Sequence, residues 1–371
     1  MAGLYIHIPF CATKCPYCDF YSLPARPADM DAYHTVLLHE IARAPDGLAA
    51  ESIYFGGGTP VLFGSARLSA VLDALRNQFA LAADCEITLE ANPFSLPLRE
   101  YEALRAAGFN RISFGMQSAD PEELKTLGRR QSPAMVQSAV TSAKAAGFEN
   151  LSVDLMLGIP GQTPESLCRS IAFLNTLEVQ HISAYLLKIE PDTPYAQTNM
   201  AEACPDEDAT CDLYLLAVEQ LARAGFHQYE ISNFARPGFE SRHNLKYWRR
   251  EEYLGFGPAA HSFYQGKRYA HPRDLAGYLA SDGTNTVLTD FCENPATEEL
   301  MLRLRLTEGA DLAALFINSA ARQAVLAAAR PLEQAGLLAI NQTHIALTPH
   351  GFLVSNAIIL RLTEAMEQTG A

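Results

Sequence analysis

Residues 4–20 read LYIHIPFCATKCPYCDF. LYIHI is an extended run, and Pro9 and Pro16 keep the residues after it from becoming a helix. The resulting loop carries three thiols, Cys11, Cys15 and Cys18, at C-x3-C-x2-C spacing. Three soft ligands so close together can converge on one metal centre. A structural zinc requires a fourth ligand. The nearest histidine, His7, is set beside Tyr5 by strand alternation, and the next cysteine along the chain is Cys85. Iron–sulfur clusters are also held by thiolates, and a cube held by three leaves one iron open to bind something else.

Outward from this loop, extended and helical runs alternate. LYIHI is followed by DAYHTVLLHEIARA, SIYFGG by ARLSAVLDALRNQF, EITLEAN by LREYEALRAAG, and RISFGMQ by PAMVQSAVTSAKAAG; LSVDLMLGI, ESLCRSIAFLNTL and HISAYLLKI continue the series. Strands joined by helices of this length pair in parallel through crossovers. AAGF at Gly108 and Gly147 and ARAGF at Gly225 supply helix-closing glycines before new extended runs. The expectation is an α/β fold: a partial parallel β/α barrel over residues 1–235, a connecting region over 236–294, and a small helical, winged-helix-like domain over 295–371. The last region lacks a basic recognition helix, so a packing or capping role is expected there rather than DNA binding.

The chain has 371 residues, with 28 Lys and Arg against 42 Asp and Glu, a formal charge of -14 that argues against a nucleic-acid partner. No apolar run is long enough for a membrane span, and MAGLYIHIPF lacks the basic leader and cleavage pattern of a signal peptide. A cytoplasmic location is expected. Cys85, Cys168, Cys204, Cys211 and Cys292 are scattered and read as apolar fillers rather than a disulfide framework.

In β/α barrels functional groups gather where strands end. YFGGGTP (54–60) ends the second extended run, Glu90 and Asn92 end the third, Gln117 ends the fourth, and Asp154 lies in the fifth. Glycines 56–58 let backbone approach a ligand closely. Phe10, Tyr17, Phe20 and Tyr21 are suited to excluding water from a cluster. With these features around it, the C-x3-C-x2-C loop resembles the signature of the radical S-adenosylmethionine (SAM) enzymes. That resemblance implies a [4Fe-4S] cluster on Cys11, Cys15 and Cys18, with SAM chelating the fourth iron and cleaved to methionine and a 5′-deoxyadenosyl radical.

LYIHIPFC, GGGTP, FGMQS, Arg129 and VDLMLGIPGQT are similar to the branch containing oxygen-independent coproporphyrinogen III dehydrogenase and the HemW-type heme chaperones. The dehydrogenase pattern implies that Tyr5, Gly57 and Glu90 contact the SAM on the cluster, and that Tyr17, Gly58, Thr59, Gln117, Arg129 and Asp154 contact a second SAM. That pattern also includes a fourth cysteine two residues after the third, where this chain has Phe20, and a long segment before the motif. HNLKYW (243–248) matches the HNxxYW motif of the chaperones. The resemblance therefore implies a SAM-binding, cluster-bearing heme chaperone without coproporphyrinogen dehydrogenase activity; the dehydrogenase is the alternative. Its implied partners are heme, a heme-accepting protein, an electron donor where SAM is cleaved, membrane proteins touched peripherally, and a second copy of the chain. Within HNLKYW, His243 is the expected axial ligand of heme iron, with Tyr247 and Trp248 as packing partners. His7, His227, His261 and His271 are the competing histidines expected near the barrel mouth.

Overall fold

The computed structural model describes residues 1–93, 96–290, 294–316 and 318–369. Six strands run in succession with helices between them: β1 (Ala2–Ile8), β2 (Ala49–Gly57), β3 (Ala80–Ala91), β4 (Arg111–Gln117), β5 (Asn150–Leu157) and β6 (His181–Leu186). They lie side by side in chain order and all pair in parallel. The crossovers carry α1 (Pro27–Ala42), α2 (Ser65–Gln78), α3 (Leu98–Ala107), α4 (Pro133–Ala145) and α5 (Pro164–Thr176). Local chemistry sets the helix ends. Ser132 and Thr163 cap α4 and α5 with side-chain oxygens ahead of a proline in the first turn, and Gly108, Gly147 and Gly225 follow helices with positive φ.

Strand alternation divides the residues between two surfaces. On β1, Leu4, Ile6 and Ile8 are fully buried in the main apolar core, whereas Tyr5 and His7 lie on the opposite face. Ile53 and Phe55, Leu89, Ile112 and Phe114, and Val153 and Leu155 repeat the apolar set. The intervening positions Ser52, Tyr54, Thr88, Glu90, Arg111, Ser113, Ser152 and Asp154 give the barrel interior a polar lining.

Among the described residues the sheet does not close into a ring. Beyond β6 it continues in antiparallel strands Asn233–Ala235 and His227–Gln228. Beyond β1 it continues in β7 (Tyr253–Phe256), which is parallel to β1, then β8 (His261–Tyr264), Lys267–Ala270 and Val287–Asp290. The stretch 236–294, expected as a connector, thus contributes four strands to the main sheet. Its pairing with β1 spans most of the chain, a register that no local pattern carries. The C-terminal unit has helices Pro295–Arg303, Ser319–Gln334 and Ser355–Glu367 around a three-stranded antiparallel sheet. Among the described residues no helix is long and apolar enough to cross a membrane.

Candidate metal and cofactor site

β1 delivers the chain to the cysteine loop at the C-terminal end of the sheet. Phe10–Cys11 pairs in parallel with Leu23–Pro24, and Leu23 N–H donates to Pro9 C=O at 2.7 Å, so the loop between them has a fixed base. Cys11, Cys15 and Cys18 are free, half-buried and line one cavity of about 130 Å³. Burial pushes the Cys18 thiol up. Among the described residues no group of His, Cys, Asp or Glu, these three included, is arranged to hold a single metal ion. Three thiols facing one space without a fourth protein ligand suit a polynuclear cluster with an open position. Cys85 is buried elsewhere, and Cys204 donates to Met200 C=O. Cys292 lies outside the described residues.

The glycine run at the end of β2 packs directly on this loop. Gly58 N–H donates to Ile8 C=O at 2.9 Å and Thr59 N–H to Phe10 C=O at 2.8 Å. A Cβ on Gly58 would sit 2.6 Å from the Phe10 carbonyl oxygen, and one on Gly57 2.6 Å from the His7 ring. The glycines therefore admit the cysteine loop's own backbone and a histidine ring, besides opening the cavity.

Of the nine residues expected to contact SAM, eight surround the cysteine cavity: Tyr17, Gly57, Gly58, Thr59, Glu90, Gln117, Arg129 and Asp154. Glu90 accepts from Tyr54 O–H at 2.8 Å and Gly57 N–H at 3.3 Å. Burial, reinforced by Asp154, pushes Glu90 up to about 7, and burial pushes Asp154 up to about 6. Asp154 accepts from Ser113 O–H at 3.1 Å, and Gln117, at φ 70°, accepts from Tyr185 O–H at 2.7 Å. Among the described residues Arg129 Nε is buried without a hydrogen-bond partner, an orphaned donor on a residue of the cavity wall. Two acids held near neutrality and an unfilled guanidinium donor fit a zwitterionic, cationic ligand with a carboxylate, as SAM is.

Tyr5, the ninth, is placed elsewhere. Its hydroxyl meets His7 Nδ1 at 3.0 Å, its ring stacks near Tyr54, and it lines a second cleft. Its ring neighbour Tyr54, not Tyr5 itself, donates the hydrogen bond to Glu90. Phe10 also turns away from the cavity and stacks on Phe63 in the core, whereas Phe20 is 67% exposed. Tyr54, the first residue of the YFGGGTP run, and Ser113 and Tyr185, which no quoted motif marks, also belong to the site. Tyr54 lies two positions before Gly56 and Ser113 two before Gly115, so strand alternation was the signal for these, whereas Tyr185 is brought there by the pairing of β6 with β5.

HNLKYW forms a short helix, Arg242–Trp248, anchored inside the barrel because Glu86 accepts the backbone N–H groups of Arg242 and His243 at 3.2 and 3.1 Å. His243 is buried, with Nδ1 2.9 Å from Ser52 Oγ and Nε2 2.7 Å from Tyr247 Oη. Both ring nitrogens are engaged, which corrects the expectation of a histidine open to iron. Burial holds His243 down to about 3, so the ring is neutral. Tyr247 lines the second cleft, 4.6 Å from the Tyr253 ring; Trp248 is half-buried and is not part of its lining. Of the competing histidines, His7, His261 and His271 line this cleft, while His227 sits on the edge strand at the far end of the sheet.

The family model described as the radical SAM superfamily matches residues 5–174, and that of the HemN C-terminal domain matches residues 293–354. A protein of Mycobacterium tuberculosis named heme chaperone HemW is 38% identical over 97% of this chain and 94% of its own length. One of the same name from Escherichia coli K12 is 35% identical over 96% of this chain and 97% of its own. Among solved structures, the Escherichia coli coproporphyrinogen III oxidase HemN superposes with a TM-score of 0.86 over 98% of this chain and 90% of that one, at 24% identity, a likeness of fold.

Proposed function

We propose, since this chain belongs to the HemW family of radical SAM proteins, that it is a heme chaperone: it carries a [4Fe-4S] cluster and SAM, binds heme, and passes it to an acceptor protein. The observation that carries this reading is identity of 33–38% over nearly the whole chain to several relatives bearing the chaperone name. The likeness to the oxidase is weaker in sequence, and Phe20 stands where that branch has a further thiol.

Cys11, Cys15 and Cys18 would hold the cluster, and the Gly57–Thr59 turn, Glu90, Gln117, Arg129 and Asp154 would hold SAM. The bound pair supplies one-electron cleavage of the sulfonium where that chemistry is used. A cationic ligand beside them would favour the ionised forms of Glu90, held at about 7, and Asp154, held at about 6, so Glu90 above all would give up a proton on binding. Arg129 offers its free Nε–H to a carboxylate. Phe20 and Tyr17 add aromatic surface to the cavity lining. The reading includes a cytoplasmic location, an electron donor where SAM is cleaved, self-association, peripheral contact with membrane proteins, and no nucleic-acid partner.

Anaerobic reconstitution followed by two assays tests it. Stoichiometric heme binding and transfer, without consumption of coproporphyrinogen III, is the expected result. Decarboxylation of that substrate would establish the oxidase reading instead.

A further inference from the structure

The second cleft, with a volume of about 460 Å³, opens at the barrel mouth beside the cysteine loop and is lined by Phe20, Tyr21, Tyr247 and Tyr253 together with three histidines and Arg273. Two of those histidines are spoken for. His7 uses Nδ1 with Tyr5 Oη and Nε2 with the Tyr21 carbonyl at 2.9 Å. His271 directs Nε2 to Glu40 at 2.7 Å and Nδ1 to Asn285 at 3.2 Å, both oxygen acceptors. His261 is exposed and, among the described residues, makes no side-chain hydrogen bond, ion pair or ring contact.

The backbone holds that free imidazole in place. The turn 257–260 joins β7 to β8 at the C-terminal end of β1's neighbour, where β1 also releases the cysteine loop. Ala259, which lines the cleft, has φ 67°, a left-handed conformation costly for a residue with a Cβ. The turn is tied on both sides: Gly257 N–H donates to Glu40, Ala259 N–H to Pro272 C=O, and His271 N–H to Ala260 C=O. His261 therefore begins β8 at a fixed point on the cleft wall, with Ser262 Oγ, next to it, accepting from Gly255 N–H at 2.9 Å. Arg273 stands at the rim, 3.3 Å from Asp19 of the cysteine loop and half-exposed.

We infer that this cleft receives heme with His261 as the axial ligand to iron. The inference rests on the chaperone reading above and names the site that the reading leaves open. An unpartnered imidazole supplies the iron bond. Flat aromatic walls from Tyr21, Tyr247 and Tyr253, and the exposed ring of Phe20, pack on the macrocycle. Arg273, which pairs with Asp19 of the same lining in an exposed ion pair, would exchange that partner for a propionate carboxylate. On this account the HNxxYW segment acts one step back: His243, through its bond to Tyr247 Oη, sets the ring that forms one wall. Phe20 lines both this cleft and the cysteine cavity, so the macrocycle lies next to the cluster loop.

The test uses the full-length, cluster-loaded protein titrated with ferric heme, compared with His261→Ala and His227→Ala. His261→Ala should shift the Soret band, change the ferric EPR signature and weaken heme binding at least about tenfold, with iron content and SAM affinity kept and the melting temperature unchanged. Added imidazole should restore the parent spectrum in His261→Ala. His227→Ala should match the parent throughout. If the parent binds heme and His261→Ala gives the same spectrum and affinity, the ligand assignment is overturned and the chaperone reading stands. If the parent itself binds no heme, both fall.

Discussion

Cys11 and Cys15 are joined by an unbroken polar chain around the cavity they share. Cys11 Sγ lies 3.5 Å from Thr59 Oγ1, Asn92 donates to that same oxygen at 3.1 Å, and Arg129 Nη1 donates to Asn92 Oδ1 at 3.1 Å and reaches Cys15 Sγ at 3.7 Å. Two thiols from the cysteine loop are thus oriented by residues from the ends of β2 and β3 and from the segment after β4.

Arg129 is the single cation of that chain, and its Nε is the unfilled donor. Arg129→Met should weaken SAM binding about tenfold to a hundredfold, the size of one lost charge-assisted contact. Calorimetry on the reconstituted variant checks this. An affinity within about twofold of the parent would take Arg129 out of the site.

Each of the three thiols should be singly necessary for the cluster. Cys15→Ala should lose most of its iron and the broad visible absorption after anaerobic reconstitution, while Cys85→Ala and Cys204→Ala keep both. Retention of roughly four irons, the content of one cube, by Cys15→Ala would refute the assignment.

Gly58→Ala should destabilise the protein even without cofactors, by about 1–3 kcal/mol, because the added methyl meets the Phe10 carbonyl, which cannot swing aside as a side chain can. Chemical denaturation of the cluster-free protein measures this. Stability equal to the parent would show that the loop base moves freely.

Glu90 makes the stability depend on pH in a definite direction. Its folded pKa, about 7, lies above the unfolded value near 4.5, so the folded state holds its proton longer. Stability contributed by the neutral form is complete below about 4.5 and is lost as pH rises through about 7. Glu90→Gln, which mimics the protonated acid, should match the parent near pH 4.5 and exceed it at pH 8. SAM affinity of the parent should fall as pH drops below about 7, since the acid must then be ionised on binding, and this slope should flatten in Glu90→Gln. Urea unfolding and calorimetry across pH 4.5–8 report the two effects; parallel profiles for parent and variant would contradict them.

The sixfold strand–helix rhythm, the three-thiol loop after the first strand, and the polar groups at the ends of the next four are all legible in the linear order of residues. These are local properties: spacing within a loop, alternation along a strand, and turn chemistry at helix ends survive in a linear reading. Gly57, Gly58, Thr59, Glu90, Gln117 and Asp154 converge for that reason, since they sit in or just after strands that a parallel sheet brings to one side, whereas Tyr17, from the cysteine loop, and Arg129, beyond the helix after β4, are carried there by the fold.

Pairings across long stretches of chain are set only by the folded molecule. β7 joins the sheet beside β1, and this turns an expected connector into the wall of a second cleft. Tyr5 goes to that cleft because His7 and Tyr54 claim its hydroxyl and ring, although the strand pattern alone aims it only at the barrel interior. The two nitrogens of His243 are filled by Ser52, from β2, and by Tyr247, and the nitrogens of His7 and His271 are filled as well, while those of His261 have no partner among the described residues. Whether a histidine can bind iron depends on which groups have already taken its nitrogens. Partners brought together from distant segments set that, and a residue type at a given spacing does not encode it.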